Sequence, residues 1–317
     1  MISLVIPIFN EELLIDELYK RTMAAMEEIT DDFEIICVDD GSKDTSLSQM
    51  VAYHQRDPRF KVLELSRNFG HQAALLAGLN FAQGDFIGVM DGDLQDPPEV
   101  FARFYAKLLE GYDVVYAVRK KRKEGMLKKT SYWLYYRILV KISNMDLPLD
   151  SGDFSMIRRQ VLQEMLRMPE QSLYLRGLRH WVGFRQTGVE YERADRLAGE
   201  PKYDFKKLMK LAYDGIFSFS SFPIKFMGRI GLLAIGTSIT YAFYLLAKKI
   251  IWGEVPEGFT TLILAIFFFG GVQLVSIRII GEYINRIYDE SRGRPLFIVK
   301  NAFLASQAAD SAKSDQA

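Results

Sequence analysis

Two aspartates separated by one glycine, Asp91-Gly92-Asp93, lie in the run VMDGDLQDPPE and carry the sharpest chemical signal in the chain. Carboxylates at this spacing can flank a hard divalent cation, and Gly92 allows the tight turn between them. Mg2+ or Mn2+ held by one or two carboxylates completes its shell with phosphate oxygens and water, so the ligand expected at such a pair is a nucleoside diphosphate. The tripeptide alone is a weak signal, because Asp-Gly is also a common turn. It is not alone: Asn10 and Glu11 follow one apolar run, and Asp39 and Asp40 end another.

The elements that must position these residues are short β-branched runs alternating with amphipathic stretches. SLVIPIF, FEIICVDD, KVLELS and DFIGVMDGD read as strands, with helical patterns over residues 11–29, after Ser42 and over residues 71–82. Strand, helix and strand at this spacing imply right-handed βαβ units and a parallel sheet. Ligands of such sheets bind beyond the carboxyl ends of strands, where every acidic cluster here falls. The first strand is not followed by GxGxxG, so an ordinary dinucleotide site loses its main support. Further on, DVVYAVR reads as a strand and SYWLYYRILVKISNM as an aromatic helix. The basic run KKRKEGMLKK between them reads equally as solvated charge or as a face for phosphate or lipid.

The chain has 317 residues, 25% of them charged, with 40 Lys+Arg against 40 Asp+Glu. That balance argues against a disordered chain and gives no global field to attract nucleic acid. Cys37, the one cysteine, is expected in the core. His54 and His180 have no ligand spacing, so no zinc site is expected; His71 opens a helix, where a cap or packing role competes with a phosphate-facing one.

Two charge-free stretches, residues 230–247 and 259–277, each approach the roughly 20 residues that cross a bilayer core. The connector GEVPEG is short, so a hairpin with both flanks on one side is expected. The N-terminus does not resemble a signal peptide, which leaves the long N-terminal part in the cytoplasm. Lys225, Arg229, Arg278, Arg286, Arg292 and Arg294 then lie inside, as the positive-inside rule prefers, while Lys248 and Lys249 run against it. Residues 204–222 form a basic amphipathic pattern suited to the headgroup plane, with an ordinary surface helix as the alternative. Small residues at Gly231, Gly236, Ser238, Gly270 and Gly271 suggest close helix approach and a homo-oligomer. The tail after Lys300 is small and polar and is expected to be disordered.

The segments IPIFNE at residues 6–11, VDDGS at 38–42 with Asp44, SRNFGH at 66–71, DGD at 91–93, LQDPPE at 94–99 and RLAGEPKY at 196–203 together resemble the GT-A glycosyltransferases of family 2. Within that family they are similar to the polyisoprenyl-phosphate glycosyltransferases, which include dolichol-phosphate mannose synthase and bactoprenol glucosyltransferases of the GtrB type. The resemblance covers essentially the whole chain. It implies an α/β fold with a Rossmann-like, mostly parallel sheet in a cytoplasmic catalytic domain at residues 1–203. An interfacial amphipathic region at 204–228, a transmembrane hairpin at 229–280 and a partly disordered C-terminal segment at 281–317 would follow.

The implied activity is inverting, metal-dependent transfer of glucose from UDP-glucose to undecaprenyl phosphate at the cytoplasmic face of the inner membrane. The resemblance matches Pro7, Phe9, Asn10, Glu11, Val38, Asp39 and Asp40 to nucleoside-holding positions. It matches Asp91, Gly92, Asp93 and Gln95 to the diphosphate segment, with Asp91, Asp93 and Gln95 as ligands of Mg2+ or Mn2+. Arg119, Arg196 and Lys202 match basic positions that meet phosphates. Asp153 in DSGDF lies near the acceptor side, where it would act in catalysis, position the acceptor or sugar, or simply form a turn. Two rival readings stay open. Trp181, Gly183 and Phe184 in LRHWVGF resemble an element of processive polysaccharide synthases, although the full QxxRW is missing. A non-catalytic nucleotide-binding membrane scaffold is the other, against which the intact Asp91/Asp93 pair argues.

Overall fold

The computed structural model describes residues 1–119, 151–168, 170, 174–193, 222–252 and 258–304. The basic run, the aromatic stretch, the amphipathic segment up to residue 221, Arg196 and Lys202 lie outside the described residues. The chain divides into two compact units, one of Met1–Tyr132, Asp146–Lys202 and Arg294–Ala317, the other of Trp133–Met145 and Tyr203–Gly293.

The first unit opens as the sequence pattern predicts. Strands β1 (Ile2–Ile8), β2 (Phe33–Asp39), β3 (Phe60–Leu65) and β4 (Phe86–Val89) alternate with helices α1 (Ile15–Glu27), α2 (Ser46–Arg56) and α3 (His71–Phe81). A turn of 3-10 helix at Pro98–Val100 leads into α4 (Phe101–Leu109) and β5 (Val114–Arg119). Then come β6 (Ser151–Arg158), α5 (Arg159–Leu166), α6 (Leu175–Trp181), β7 (Gln186–Tyr191) and, near the C-terminus, β8 (Val299–Phe303).

These strands form one sheet in the order β7-β5-β6-β4-β1-β2-β3-β8. β1 pairs in parallel with β2 and β4, β2 with β3, and β5 with β7. β6 runs antiparallel to both β4 and β5, and β8 antiparallel to β3. The sheet is therefore mixed. Asp153 belongs to β6 rather than to a turn, and the tail expected to be disordered after Lys300 instead contributes residues as far as Phe303 to the edge strand. Glu64 holds that edge, accepting from Lys300 Nζ and Asn301 Nδ2 at 2.6 Å each.

Period-2 alternation sends the strands' apolar residues into two cores, one on each face. Ile2, Leu4, Ile6 and Ile8 of β1 join Leu18, Met26, Phe101 and Phe104 of α1 and α4. Val5, Ile36 and Val38 join Ala74 and Ala77 of α3 on the other face, with Val161 and Leu178 of α5 and α6. Cys37 is fully buried, its thiol pushed up by desolvation, in keeping with a core role. Phe154 fixes β6 through rings 5.1 Å away at Phe101 and 5.5 Å away at Tyr191. Its neighbour Asp153 is thereby turned to the face that carries α3 and α6.

The second unit contains α7 (Phe222–Trp252) and α8 (Phe259–Arg292), the latter ended by Gly293 in the left-handed conformation at φ 55°. Among the described residues one helix is long and apolar enough to cross a membrane, over Ile224–Leu245 with mean hydropathy 1.3.

Helix α3 reaches the sheet through Gly78, where a Cβ would stand 2.4 Å from Val5 Cγ1 and 3.0 Å from Val38 Cγ2. Gly78→Ala gains about 1 kcal/mol in helix propensity. Overpacking against two stiff β-branched side chains outweighs this, and a net loss of about 1–3 kcal/mol is expected. Thermal unfolding of the variant beside wild type checks the sign.

Candidate active site

The site lies where the sheet's connectivity reverses. β1 has β2 on one side and β4 on the other, and crevices for ligands form beyond the strand ends at such a point. β4 follows β1 only to the pair Val5↔Val89, while β1 continues along β2 to Ile8↔Asp39. Pro7, which has no N–H to offer a neighbour, falls past the last β4 pair. Residues 91–95 turn beside this stretch: a Cβ on Gly92 would lie 2.5 Å from Ile8 Cδ1 and 3.1 Å from Pro7 O. A larger residue between the two aspartates would have to displace the end of the Ile8 side chain and crowd the Pro7 carbonyl. Leu94 completes the turn at φ 54°, a costly conformation for a leucine that its full burial enforces.

The loops after β1 and β2 are latched together. Asn10 donates its N–H to Ser42 Oγ at 3.0 Å and accepts from Lys43 N at 2.8 Å, and Glu11 N–H reaches Ser46 Oγ at 3.0 Å. Phe9 and Glu11 are half-buried beside them. Val38 is packed in the core under α3. Asp40 accepts the N–H groups of Phe69 at 2.7 Å and Gly70 at 3.0 Å, which fixes the loop before α3. Gly41 permits this approach, since a Cβ there would meet Asn68 N at 2.7 Å and its φ is +71°. Asp39 accepts from Ser42 N through Oδ2, but its buried Oδ1 has no hydrogen-bond partner. Burial raises the pKa of both aspartates, against the pull of these N–H donors.

Of the central pair, Asp93 Oδ1 accepts from Gln95 N at 3.2 Å. Asp91 Oδ1 is sealed from solvent without a hydrogen-bond partner. Desolvation pushes the Asp91 carboxyl up to about 6 against the pull of His71, and Asp153, Asp96 and Asp93 push the same way. Asp96 is satisfied by the Tyr191 hydroxyl, which itself accepts from Arg119 Nε at 3.2 Å, and has Arg193 Nε at 3.4 Å. Arg119 also lies close to β6, with an Nη 3.7 Å from where a Cβ of Gly152 would be.

Asp153 faces this group from β6, 9% exposed, and Arg176 grips it with Nε at 3.2 Å and Nη at 3.0 Å. Gln72 Nε2 donates to it at 3.2 Å. Burial opposes ionisation, yet the Arg176 charge and the His71 contact hold this carboxyl well below the usual range. His71 Nε2 stands 3.5 Å from Asp91 Oδ1 and 3.5 Å from Asp153 Oδ2, neither a cap nor a packing residue. Desolvation lowers its pKa, but the contact with Asp153 and the charges of Asp91 and Asp153 outweigh that and raise it. Beneath, the buried Arg179 donates to Gly152 O at 3.2 Å, its pKa pulled down to about 10 by desolvation.

The structure thus gathers Pro7, Asn10, Glu11, Asp39, Asp40, Asp91, Gly92, Asp93 and Gln95 at one end of the sheet, with Arg119 and Asp153 at its β5 and β6 side. Gln72, Arg176 and Arg179 are additions that no sequence motif singled out. Among the described residues no three His, Cys, Asp or Glu side chains converge as a metal cage. A carboxylate pair with one unpartnered oxygen nevertheless suits a hard divalent cation whose shell is completed by phosphate oxygens.

A mixed α/β sheet with an Asp-Gly-Asp turn at its switch point defines a GT-A-like glycosyltransferase. The chain belongs to glycosyl transferase family 2, whose model matches residues 3–166. It is 46% identical over 302 residues to the uncharacterized glycosyltransferase YkcC of Bacillus subtilis strain 168, covering 95% of this chain and 94% of that protein. It is 41% identical over 302 residues to the prophage bactoprenol glucosyl transferase homolog of Escherichia coli K12, covering 94% and 98%. The bactoprenol glucosyl transferase of Shigella phage SfV is likewise 41% identical over 302 residues, covering 95% and 98%. Among solved structures, glucosyl-3-phosphoglycerate synthase from Mycobacterium tuberculosis, in complex with Mn2+, UDP and glucosyl-3-phosphoglycerate, superimposes with a TM-score of 0.46. That match has 19% identity over 68% of this chain and 77% of the other.

Because its folded pKa is raised, ionised Asp39 lowers stability near neutral pH, and this penalty vanishes as pH falls through the folded pKa. Asp39→Asn, which removes the desolvated charge, is expected to be more stable than wild type at pH 8 by about 1 kcal/mol, the low end of the desolvation cost of such a group. The gap is expected to narrow as pH falls through the folded pKa of Asp39 toward the ordinary carboxylate range, and parallel melts of the two proteins from pH 8 into that acid range measure it.

Proposed function

We propose that the chain transfers glucose from UDP-glucose to undecaprenyl phosphate at the cytoplasmic face of the inner membrane, with inversion at the anomeric carbon. The observation that carries the reading is the Asp91/Asp93 pair at the switch point, where Asp91 Oδ1 accepts no hydrogen bond and faces His71 Nε2 at 3.5 Å. It occurs in a chain that matches relatives named as bactoprenol glucosyl transferases over nearly its whole length.

Asp91, Asp93 and Gln95 would hold Mg2+ or Mn2+, which when bound supplies positive charge to the leaving diphosphate. Pro7, Phe9, Asn10, Glu11, Asp39 and Asp40 would form the nucleoside side, with Val38 supporting them from the core. There the unpartnered Asp39 oxygen is suited to accept an N–H or O–H of base or ribose. Arg119, with Arg196 and Lys202, would neutralise phosphate oxygens of donor or acceptor. A phosphate oxygen of the acceptor forms the new bond to the anomeric carbon as the bond to the diphosphate breaks, and UDP leaves with the electron pair. The acceptor's second phosphate pKa is about 6, so it arrives mostly deprotonated and needs no strong general base.

The lipid explains the second unit in this reading. A polyprenyl tail leaves the bilayer at a cost of about 0.8 kcal/mol per buried CH2, so the enzyme must meet the phosphate at the membrane surface. Helices α7 and α8, read as a two-span hairpin with the amphipathic segment before it, serve as that anchor. A homo-oligomer fits their small-residue faces.

The test is transfer of radiolabelled sugar from UDP-glucose into the organic phase with undecaprenyl phosphate and Mg2+. Wild type is expected to give divalent-cation-dependent label in lipid, and Asp93→Ala to lose at least about 100-fold, the scale of removing one preorganised charge-stabilising group. Product from a different nucleotide sugar would change the donor. No product from any donor, despite nucleotide binding, would favour the non-catalytic scaffold.

A further inference from the structure

We propose that His71 and Gln72, the first two residues of α3, are positioning residues that hold Asp153 and the start of α6 in register with Asp91 on the acceptor side of the reaction. The inference rests on the transfer reaction proposed above and assigns its acceptor side a fixed frame.

Gln72 uses both ends of its amide. Nε2 donates to Asp153 Oδ2 at 3.2 Å, and Oε1 accepts the N–H of Leu175, the first residue of α6, at 3.0 Å. One side chain therefore braces β6 to α6 immediately before Arg176, whose two nitrogens grip the same carboxylate. An ionised carboxylate offers about four lone-pair sites. Arg176 takes two and Gln72 a third, and His71 stands toward the Oδ2 side at 3.5 Å. A carboxylate so occupied serves as an anchor and not as an acceptor of a proton from substrate.

The same imidazole nitrogen lies 3.5 Å from Asp91 Oδ1, so His71 spans from the donor-side aspartate to this anchor. The platform beneath is stiff. Ala73 and Ala74 are buried and Gly78 is pressed against Val5, while Asp40 holds the backbone N–H groups of Phe69 and Gly70 just before the helix. Position is thus passed from the loop after β2, through the first turn of α3, to β6 and α6.

The experiment uses the full chain in liposomes and measures KM for undecaprenyl phosphate and for UDP-glucose separately. Gln72→Leu is expected to raise the lipid KM about tenfold, the scale of one hydrogen bond to a charged group. The donor KM stays at the wild-type value, and the melting temperature falls only modestly, since Leu175 N–H and Asp153 each lose one hydrogen bond. Gln72→Glu keeps an oxygen for Leu175 N–H but sets a second negative charge against Asp153. It is expected to raise the lipid KM further, and it decides the matter if Gln72→Leu does not fold. His71→Leu is expected to act in the same direction, with His71→Gln, which keeps a donor, closer to wild type. An unchanged lipid KM in the Gln72 variants, or donor and lipid KM rising together with a lowered melting temperature, overturns the positioning role. An inactive wild type on any lipid phosphate would instead overturn the proposed reaction, and the acceptor role with it.

Discussion

Negative charge packed at one end of a sheet is the constraint that the rest of this molecule answers. Asp39, Asp40, Asp91, Asp96 and Asp153 all lie at the same side of the strands, four of them nearly inaccessible to water. Two unit charges 4 Å apart repel by about 4 kcal/mol at an effective dielectric of 20, and desolvation adds to that for each carboxylate. The fold sorts these groups into two kinds. Asp40 is given two backbone N–H donors, Asp96 a tyrosine hydroxyl and an arginine, and Asp153 an arginine fork with a glutamine. Asp39 and Asp91 each keep an oxygen that accepts no hydrogen bond, the one on Asp91 with only His71 Nε2 facing it at 3.5 Å.

The opposite end of the sheet makes that sorting informative. Glu34 is as deeply buried as Asp39, yet it accepts from Ser3 Oγ, Gln83 N and Lys61 Nζ within 2.6 Å, and Ser3 Oγ in turn accepts from Gly84 N. Where a buried acid serves structure alone, this chain satisfies it, as proteins generally do. Among the described residues, the unsatisfied buried side-chain oxygens lie beside the Asp-Gly-Asp turn and at the end of β2, where a ligand could supply the missing donors. The scaffold holds that arrangement by a contact only glycine allows, at Gly41 against the loop before α3, and by close packing of Gly92 against β1.

How much of this was legible in the sequence depends on how far apart the partners are. The four parallel strands β1 to β4 were plain, because each is a short β-branched run ending in acids or turn residues, and burial on both faces demands that pattern. Strand β6 was hidden because SGDFSMIR opens with Gly and Asp, which strands disfavour, and it is held by aromatic packing from distant residues. Strand β8 was hidden because its polar residues are satisfied by Glu64, more than 200 positions earlier, with a separation of 236 for Lys300. Gln72 and Arg176 carry no motif: the first meets Asp153 across 81 residues and the second across 23. A local reading of His71 could weigh only a cap or packing role against a phosphate-facing one, because the two carboxylates that define its place come from β6 and from the turn after β4.

The division between partnered and unpartnered acids also divides the proposed reaction. On the nucleotide side, a ligand that brings N–H donors and positive charge relieves existing desolvation, so binding and the easing of strain coincide there. On the lipid side, Asp153, Arg176 and Gln72 already satisfy one another, so little reorganisation remains when a phosphate arrives. Preorganised groups contribute most where charge is changing, because they need not turn toward it during the reaction. A transferase that must wait for a membrane-bound acceptor gains from this asymmetry. The unsatisfied carboxylates would be met by a divalent cation accompanying the diphosphate, while the acceptor side stays rigid and the developing charge is met by groups already in place.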